Sequence, residues 1–228
     1  MKLKDLIEMY EVKKRRFGAE AYKHISELLS EAKEIHRRDF LEHPTPQRDH
    51  EQSWRAFKGK NLEKLITYVI KDEIESLGLK LVGGNTLERT RSENLSRELS
   101  MVKKHLSVDY GEFGPHLPDV DIIVYEPETS KVIAVISSKV TLRERIAQTG
   151  YWKIKMSRDK AMEHIKAFFI TPDEDRTLEK MTPAKKGRAI VEVDTDGGYV
   201  MSETKVEEST RVKMFDKFID DLKELVNG

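Results

Sequence analysis

Residues 117–148 read LPDVDIIVYEPETSKVIAVISSKVTLRERIAQ, and this stretch decides the fold. VDIIVYE (120–126) and VIAVISSK (132–139) are apolar runs rich in β-branched residues, and the loop PETS (127–130) between them suits a hairpin. Side chains alternate faces along a strand, so Asp119 and Asp121 point the same way, and Ser137 and Lys139 share a face. In a hairpin the start of the first strand lies near the end of the second, which brings Asp119 close to Lys139. A carboxylate there holds Mg2+, a hard cation that prefers oxygen ligands. A lysine beside it positions a water and helps deprotonate it. An aspartate at a strand's start also serves simply as a turn residue, and a lysine at a strand's end is ordinarily solvated. The joint spacing is what favours a metal-dependent nuclease site.

Outward from this stretch, 228 residues make one domain of ordinary size or a domain with a small addition. Lys plus Arg and Asp plus Glu both number 41, so a generic polycation is excluded, whereas a basic cleft balanced by an acidic outer face is not. There is no cysteine, which excludes disulfides, thiolate zinc sites and cysteine nucleophiles and suits a reducing cytoplasm. The N-terminal MKLKDLIEMYEVKKRR does not read as a secretory signal, and no run approaches a membrane span. Residues 2–16 and 19–41 read as helices, and HPTPQRDHEQ (43–52) breaks the pattern. The expected domains are therefore a helical subdomain over 1–50 and a catalytic, DNA-binding nuclease domain over 51–228. Within the latter, Leu62, Leu65, Ile66, Val69, Ile70 and Ile74 stripe a helix over 61–77 that stops at Gly78. A short strand near 79–82 and a helix over 95–106 follow. After the hairpin, Thr141 is the expected N-cap of a helix, AFFIT (167–171) and GRAIVEVD (187–194) read as strands, and 209–226 as a closing amphipathic helix. The fold class is α/β, a mixed sheet flanked by helices.

Pro118-Asp119 followed by Ser137-Ser138-Lys139 resembles the signature of the PD-(D/E)XK nucleases, and the order of elements over roughly 55–172 is similar to that family's core. The departure is Ser137, where most members carry Asp or Glu. Type II restriction endonucleases that cut sites with a CCGG-type core, the branch typified by BsaWI and AgeI, have Ser or a similar residue there and take the acid from the following helix. The resemblance thus implies Gln148 as a substitute oxygen donor and Glu63, on the upstream helix, as a further catalytic carboxylate. It also implies the carbonyl of Ser138 as a metal ligand beside Asp119 and Asp121, with Mg2+ as the ion.

Arg143-Glu144-Arg145 opens the helix after Lys139. Arginine bonds guanine O6 and N7 in pairs and glutamate accepts from cytosine N4, so the run is suited to reading GG against CC from a helix tip in the major groove. Similar clusters follow the active-site lysine in the CCGG-reading enzymes, which implies a homodimer on a palindrome in double-stranded DNA. Lys58 and Lys60 are candidate phosphate contacts, as are Lys13–Arg16 and Lys185, Lys186 and Arg188. His105, His116 and His164 lack the spacing of a metal site. Two other readings stay open at this point: a structure-specific resolvase or repair nuclease, and a non-catalytic DNA-binding module.

Overall fold

The structure is a computed structural model that describes residues 1–44, 49–140 and 145–227, the side chain of Arg145 excepted. Helices α1 (Leu3–Phe17) and α2 (Ile25–Glu42) are joined by a 3-10 segment, Gly18–His24. Helix α3 (His50–Ser76) begins eleven residues before the expected 61, capped by the Asp49 carboxylate, which accepts from the Gln52 amide at 2.8 Å. Its first turns lack an apolar stripe, because only Trp54 among them is buried, packed with Phe57 against His36 of α2. The helix ends as expected at Gly78, whose φ of 76° only glycine adopts freely.

Strand β1 (Lys80–Gly83) leads into α4 (Gly84–Arg89), then α5 (Arg97–Leu106) and a small ribbon of β2 (Val108–Asp109) and β3 (Pro115–His116). The expected hairpin follows as β4 (Ile122–Tyr125) and β5 (Val132–Ser138), then α6 (Arg145–Ser157) and β6 (Lys166–Thr171). The main sheet continues through β7 (Gly197–Val200) and β8 (Val212–Met214), in the order β1-β4-β5-β6-β7-β8. β1, β4 and β5 pair antiparallel and β5 through β8 parallel, so the sheet is mixed as expected. Ile122 and Val124 of β4, with Ala134 and Ile136 of β5, bury one face of the sheet together with α1, α2 and α3. Ile123 and Val135 bury the other against Leu87, Val102, Leu106 and Met156 from α4, α5 and α6.

Two assignments are corrected. Residues 187–194 are not a strand: Lys186–Asp194 form α7, which lies against α6. Its inward residues are Arg188 and Val191, three apart, while Val193 is 78% exposed, so the Val-x-Val alternation reports no sheet face. Residues 209–226 are not one helix either. Val212 lies in β8, Phe215 in a 3-10 turn, and the helix proper, α8, spans Phe218–Asn227. Val212 is drawn into the sheet because β8 covers the edge of β7 that would otherwise carry unpaired backbone groups.

Candidate active site

The antiparallel register sets Ile122 opposite Ile136, and the Asp121 amide extends the ladder by donating to the Ile136 carbonyl at 3.1 Å. Asp121 therefore stands beside the last residues of β5. Its Oδ2 accepts from the Ser138 amide at 2.7 Å and its Oδ1 from Lys139 Nζ at 2.9 Å. Asp121 is 5% exposed. A carboxylate that buried needs donors to replace water, and here a main-chain N–H and the Lys139 side chain supply them. The carboxylate for which this contact with Lys139 is seen is thus Asp121, two residues beyond the expected Asp119. Asp119 takes a different place, where its Oδ2 accepts from Gln148 Nε2 at 2.7 Å.

Glu63 reaches the same place from α3. Burial pushes its carboxyl above the ordinary carboxylate range, the negative charge of Asp121 pushes it further, and Lys139 pulls part of the way back. Glu63 therefore lies within electrostatic reach of both Asp121 and Lys139. Two carboxylates beside one ammonium carry excess negative charge, and their oxygens suit a hard divalent cation; Mg2+ typically takes one or two protein carboxylates plus water and substrate phosphate. Among the described residues a separate group, His24, Glu27 and Glu203, also gathers its ligand atoms within 4.8 Å. There Glu27 Oε2 is already engaged by Lys13 and His24.

Ser137, on the face of β5 shared with Val135, points toward α6, and its Oγ lies 2.9 Å from Thr149 Oγ1. Arg143 and Glu144, and the expected cap Thr141, lie outside the described residues; Arg145 begins α6. Lys58 is held by Glu174 at 3.4 Å, whereas Lys60 is exposed. The same Glu174 donates its amide to the Val140 carbonyl at 3.1 Å, so the loop after β6 lies beside the end of β5.

Two of the basic candidates are corrected. Lys13 is buried between Glu27 and Glu31, and Arg188 is 0% exposed, its guanidinium donating to the Leu178 and Glu207 carbonyls and to Glu192. Both side chains are thus turned to protein partners. His105, His116 and His164 each rest against a main-chain carbonyl, those of Ser130, Phe113 and Val132.

Two contributors escaped the sequence reading. Thr149 is one. Gly84 is the other: its amide donates to the Asp121 carbonyl at 3.0 Å, and a Cβ there would fall 1.9 Å from the Val120 carbonyl oxygen. Gly83-Gly84 is more than a turn, because it lets α4 start directly against the backbone that carries Asp121. Position 84 takes a side chain only if the backbone shifts, and a sequence signal for that exists only as the glycine itself.

Comparison with known proteins bears on this arrangement. The family model described as BsaWI restriction endonuclease type 2 matches residues 98–221. A protein of Methanocaldococcus jannaschii named as type II restriction enzyme MjaVIP is 35% identical over 215 residues, covering 89% of this chain and 93% of that protein. The chain belongs to the BsaWI family of type II restriction endonucleases. Membership makes it a DNA-cleaving enzyme by family. Among solved structures, restriction endonuclease PspGI in complex with substrate DNA is similar with a TM-score of 0.58 at 16% identity, covering 100% of this chain and 93% of that one. The AgeI–DNA complex is similar with a TM-score of 0.56 at 16% identity, covering 96% and 91%. At such identities the likeness is one of fold, and it is the restriction-endonuclease fold expected from the element order. Among the described residues no helix is long and apolar enough to cross a membrane.

Proposed function

We propose that this family member is a Mg2+-dependent endonuclease that makes double-strand cuts at a short palindromic site with a CCGG-like core, acting as a homodimer on duplex DNA. The observation that carries the reading is the contact of Asp121 with Lys139 and the Ser138 amide at the end of β5. The Asp121 and Glu63 carboxylates, with the Ser138 carbonyl, form the ligand set, and Asp119, which accepts from Gln148, is a lesser contributor to it. A divalent ion held there supplies charge stabilisation at the phosphate and a more acidic water. The chain's own groups do the rest. Asp121 fixes Lys139 Nζ so that the ammonium meets the attacking water and the scissile phosphate from the sheet side. As the water oxygen bonds to phosphorus, it gives up a proton to bulk water and the bond to the 3′ oxygen breaks; the departing oxygen takes a proton from solvent, leaving a 5′-phosphate and a 3′-hydroxyl. Ser137 fills the slot of the usual acid, with Gln148 as the oxygen-bearing residue of the following helix.

Arg143, Glu144 and Arg145 are the proposed readers of base edges, supported by residue chemistry and by their position in the sequence shortly after Lys139. Lys60 is a phosphate contact, and Lys58 becomes one on leaving Glu174. A palindrome is read by two copies related by a two-fold axis, hence the homodimer. The test is to digest phage DNA with the purified protein and Mg2+ and to sequence the fragment ends. Discrete ends at one palindrome, lost with a chelator and lost in Lys139→Ala while duplex binding persists, are expected. Undiminished cutting by Lys139→Ala would remove Lys139 from the chemistry.

A further inference from the structure

Two successive residues of α6 touch the two chain segments of the site. Gln148 Nε2 donates to Asp119 ahead of β4, and Thr149 Oγ1 meets Ser137 Oγ on β5 at 2.9 Å. The second contact is dry: Ser137 is 4% and Thr149 3% exposed. Strand–helix packing does not require it, since two apolar groups of the same shape pack there about as well as two hydroxyls. What a hydroxyl pair adds is direction, because it holds only within a narrow range of distance and angle. The next residue, Gly150, closes α6 onto α7. A Cβ there would lie 3.1 Å from Asp194 Cβ and 3.5 Å from Ile190 Cγ2, so the helix has little room to shift independently. On the strand side, the residue after Ser137 donates its amide to Asp121, and the next places Lys139.

We propose that Thr149 is a positioning residue that couples base reading to cutting. Arg143-Glu144-Arg145 lead into α6. A displacement of α6 reaches Ser137 through the Thr149 hydroxyl, and then reaches the Asp121–Lys139 pair through the Ser138 amide. A correctly read site sets the strand end in its cutting geometry, and a misread site does not. This inference rests on the reading of the preceding section, that the Asp121–Lys139 centre cuts a specific site.

The experiment uses the full chain with Mg2+ and short synthetic duplexes, one carrying the site mapped on phage DNA and others with one base pair changed. The readout is the ratio of single-turnover cleavage rates, correct over changed. Thr149→Val, which removes the hydroxyl and keeps the shape, lowers that ratio about tenfold, the worth of one hydrogen bond, with melting temperature little altered. Thr149→Ser restores it. Adding Ser137→Ala to Thr149→Val lowers the ratio no further, because both act through one bond. Should Thr149→Val unfold, Ser137→Ala reads the same ratio from the strand side. An equal loss on both duplexes marks Thr149 as packing only and overturns the inference, as does an unchanged ratio. Wild-type protein that cuts none of the duplexes overturns the underlying reading instead, a result distinct from a wild type that discriminates and a Thr149→Val that discriminates equally well.

Discussion

Replacing Gly84 by alanine tests how closely the backbone around Asp121 is specified. The added Cβ meets the Val120 carbonyl oxygen at 1.9 Å, and real Cβ contacts are essentially never under 3.0 Å, so the two segments must part by about 1.1 Å. They cannot part freely, because the Gly84 amide is bonded to the Asp121 carbonyl at 3.0 Å and the Asp121 amide to the Ile136 carbonyl at 3.1 Å. The opposing gain is the helix preference of alanine over glycine at the start of α4, at most about 1 kcal/mol. Overpacking costs about 1–3 kcal/mol, so the protein still folds and melts a few degrees lower. Catalysis suffers more, since a misplacement of about 1 Å costs on the order of 100-fold in rate. The assay is single-turnover cleavage of plasmid with Mg2+, alongside duplex binding with Ca2+ in its place. Gly84→Ala is expected to bind as wild type and cut about 100-fold more slowly. Gly83→Ala, whose Cβ meets Thr86 Oγ1 at 3.4 Å and Glu63 Oε1 at 3.5 Å, is the tolerated control. Wild-type cutting by Gly84→Ala at the wild-type melting temperature would refute the steric argument.

Two further outcomes concern stability. Burial, with Asp175 nearby, pushes the Asp173 carboxyl up to about 6. The native state then holds a proton that the unfolded chain has already released, so stability falls as pH rises from about 4 to about 6, by about 3 kcal/mol at most; melting curves of wild type and Asp173→Asn across that range should separate with pH, and a constant offset would contradict the assignment. Arg188→Met takes the donor from the Leu178 and Glu207 carbonyls, while Ser209 keeps the Glu192 carboxylate bonded, and lowers stability by about 1–3 kcal/mol, yet leaves duplex affinity of the folded protein unchanged; a large fall in affinity measured well below the melting point would return Arg188 to the phosphate contacts.

The centre of the fold was legible where backbone period and side-chain chemistry agree. Ile122–Tyr125 and Val132–Ser138 are continuous β-branched runs joined by a short polar loop, and a buried strand pair is the arrangement that hides them from water. α7 was illegible because one of its two inward residues is Arg188, a charged side chain in a position where the helical period announces itself only through an apolar one. β7 was illegible because Gly197-Gly198 resembles a turn. The first of these glycines is there because β8 passes so close that a Cβ would lie 2.6 Å from the Arg211 carbonyl oxygen. In the site, the sequence placed carboxylate and lysine together but not which aspartate pairs with the lysine. Asp119 and Asp121 share one strand parity, and only the ladder register, Ile122 opposite Ile136, brings Asp121 to Lys139. Thr149 was unreadable for a related reason, since nothing within α6 marks which residue faces Ser137.

The most direct measurement compares Asp121→Asn with Asp119→Asn in single-turnover cleavage of plasmid DNA with Mg2+, each checked for duplex binding. If the centre is built on the Asp121–Lys139 pair, Asp121→Asn binds but loses on the order of 1000-fold in rate, the equivalent of about 4 kcal/mol of transition-state stabilisation, while Asp119→Asn loses far less. An Asp121→Asn enzyme that cuts near the wild-type rate, beside an inactive Asp119→Asn, would contradict it.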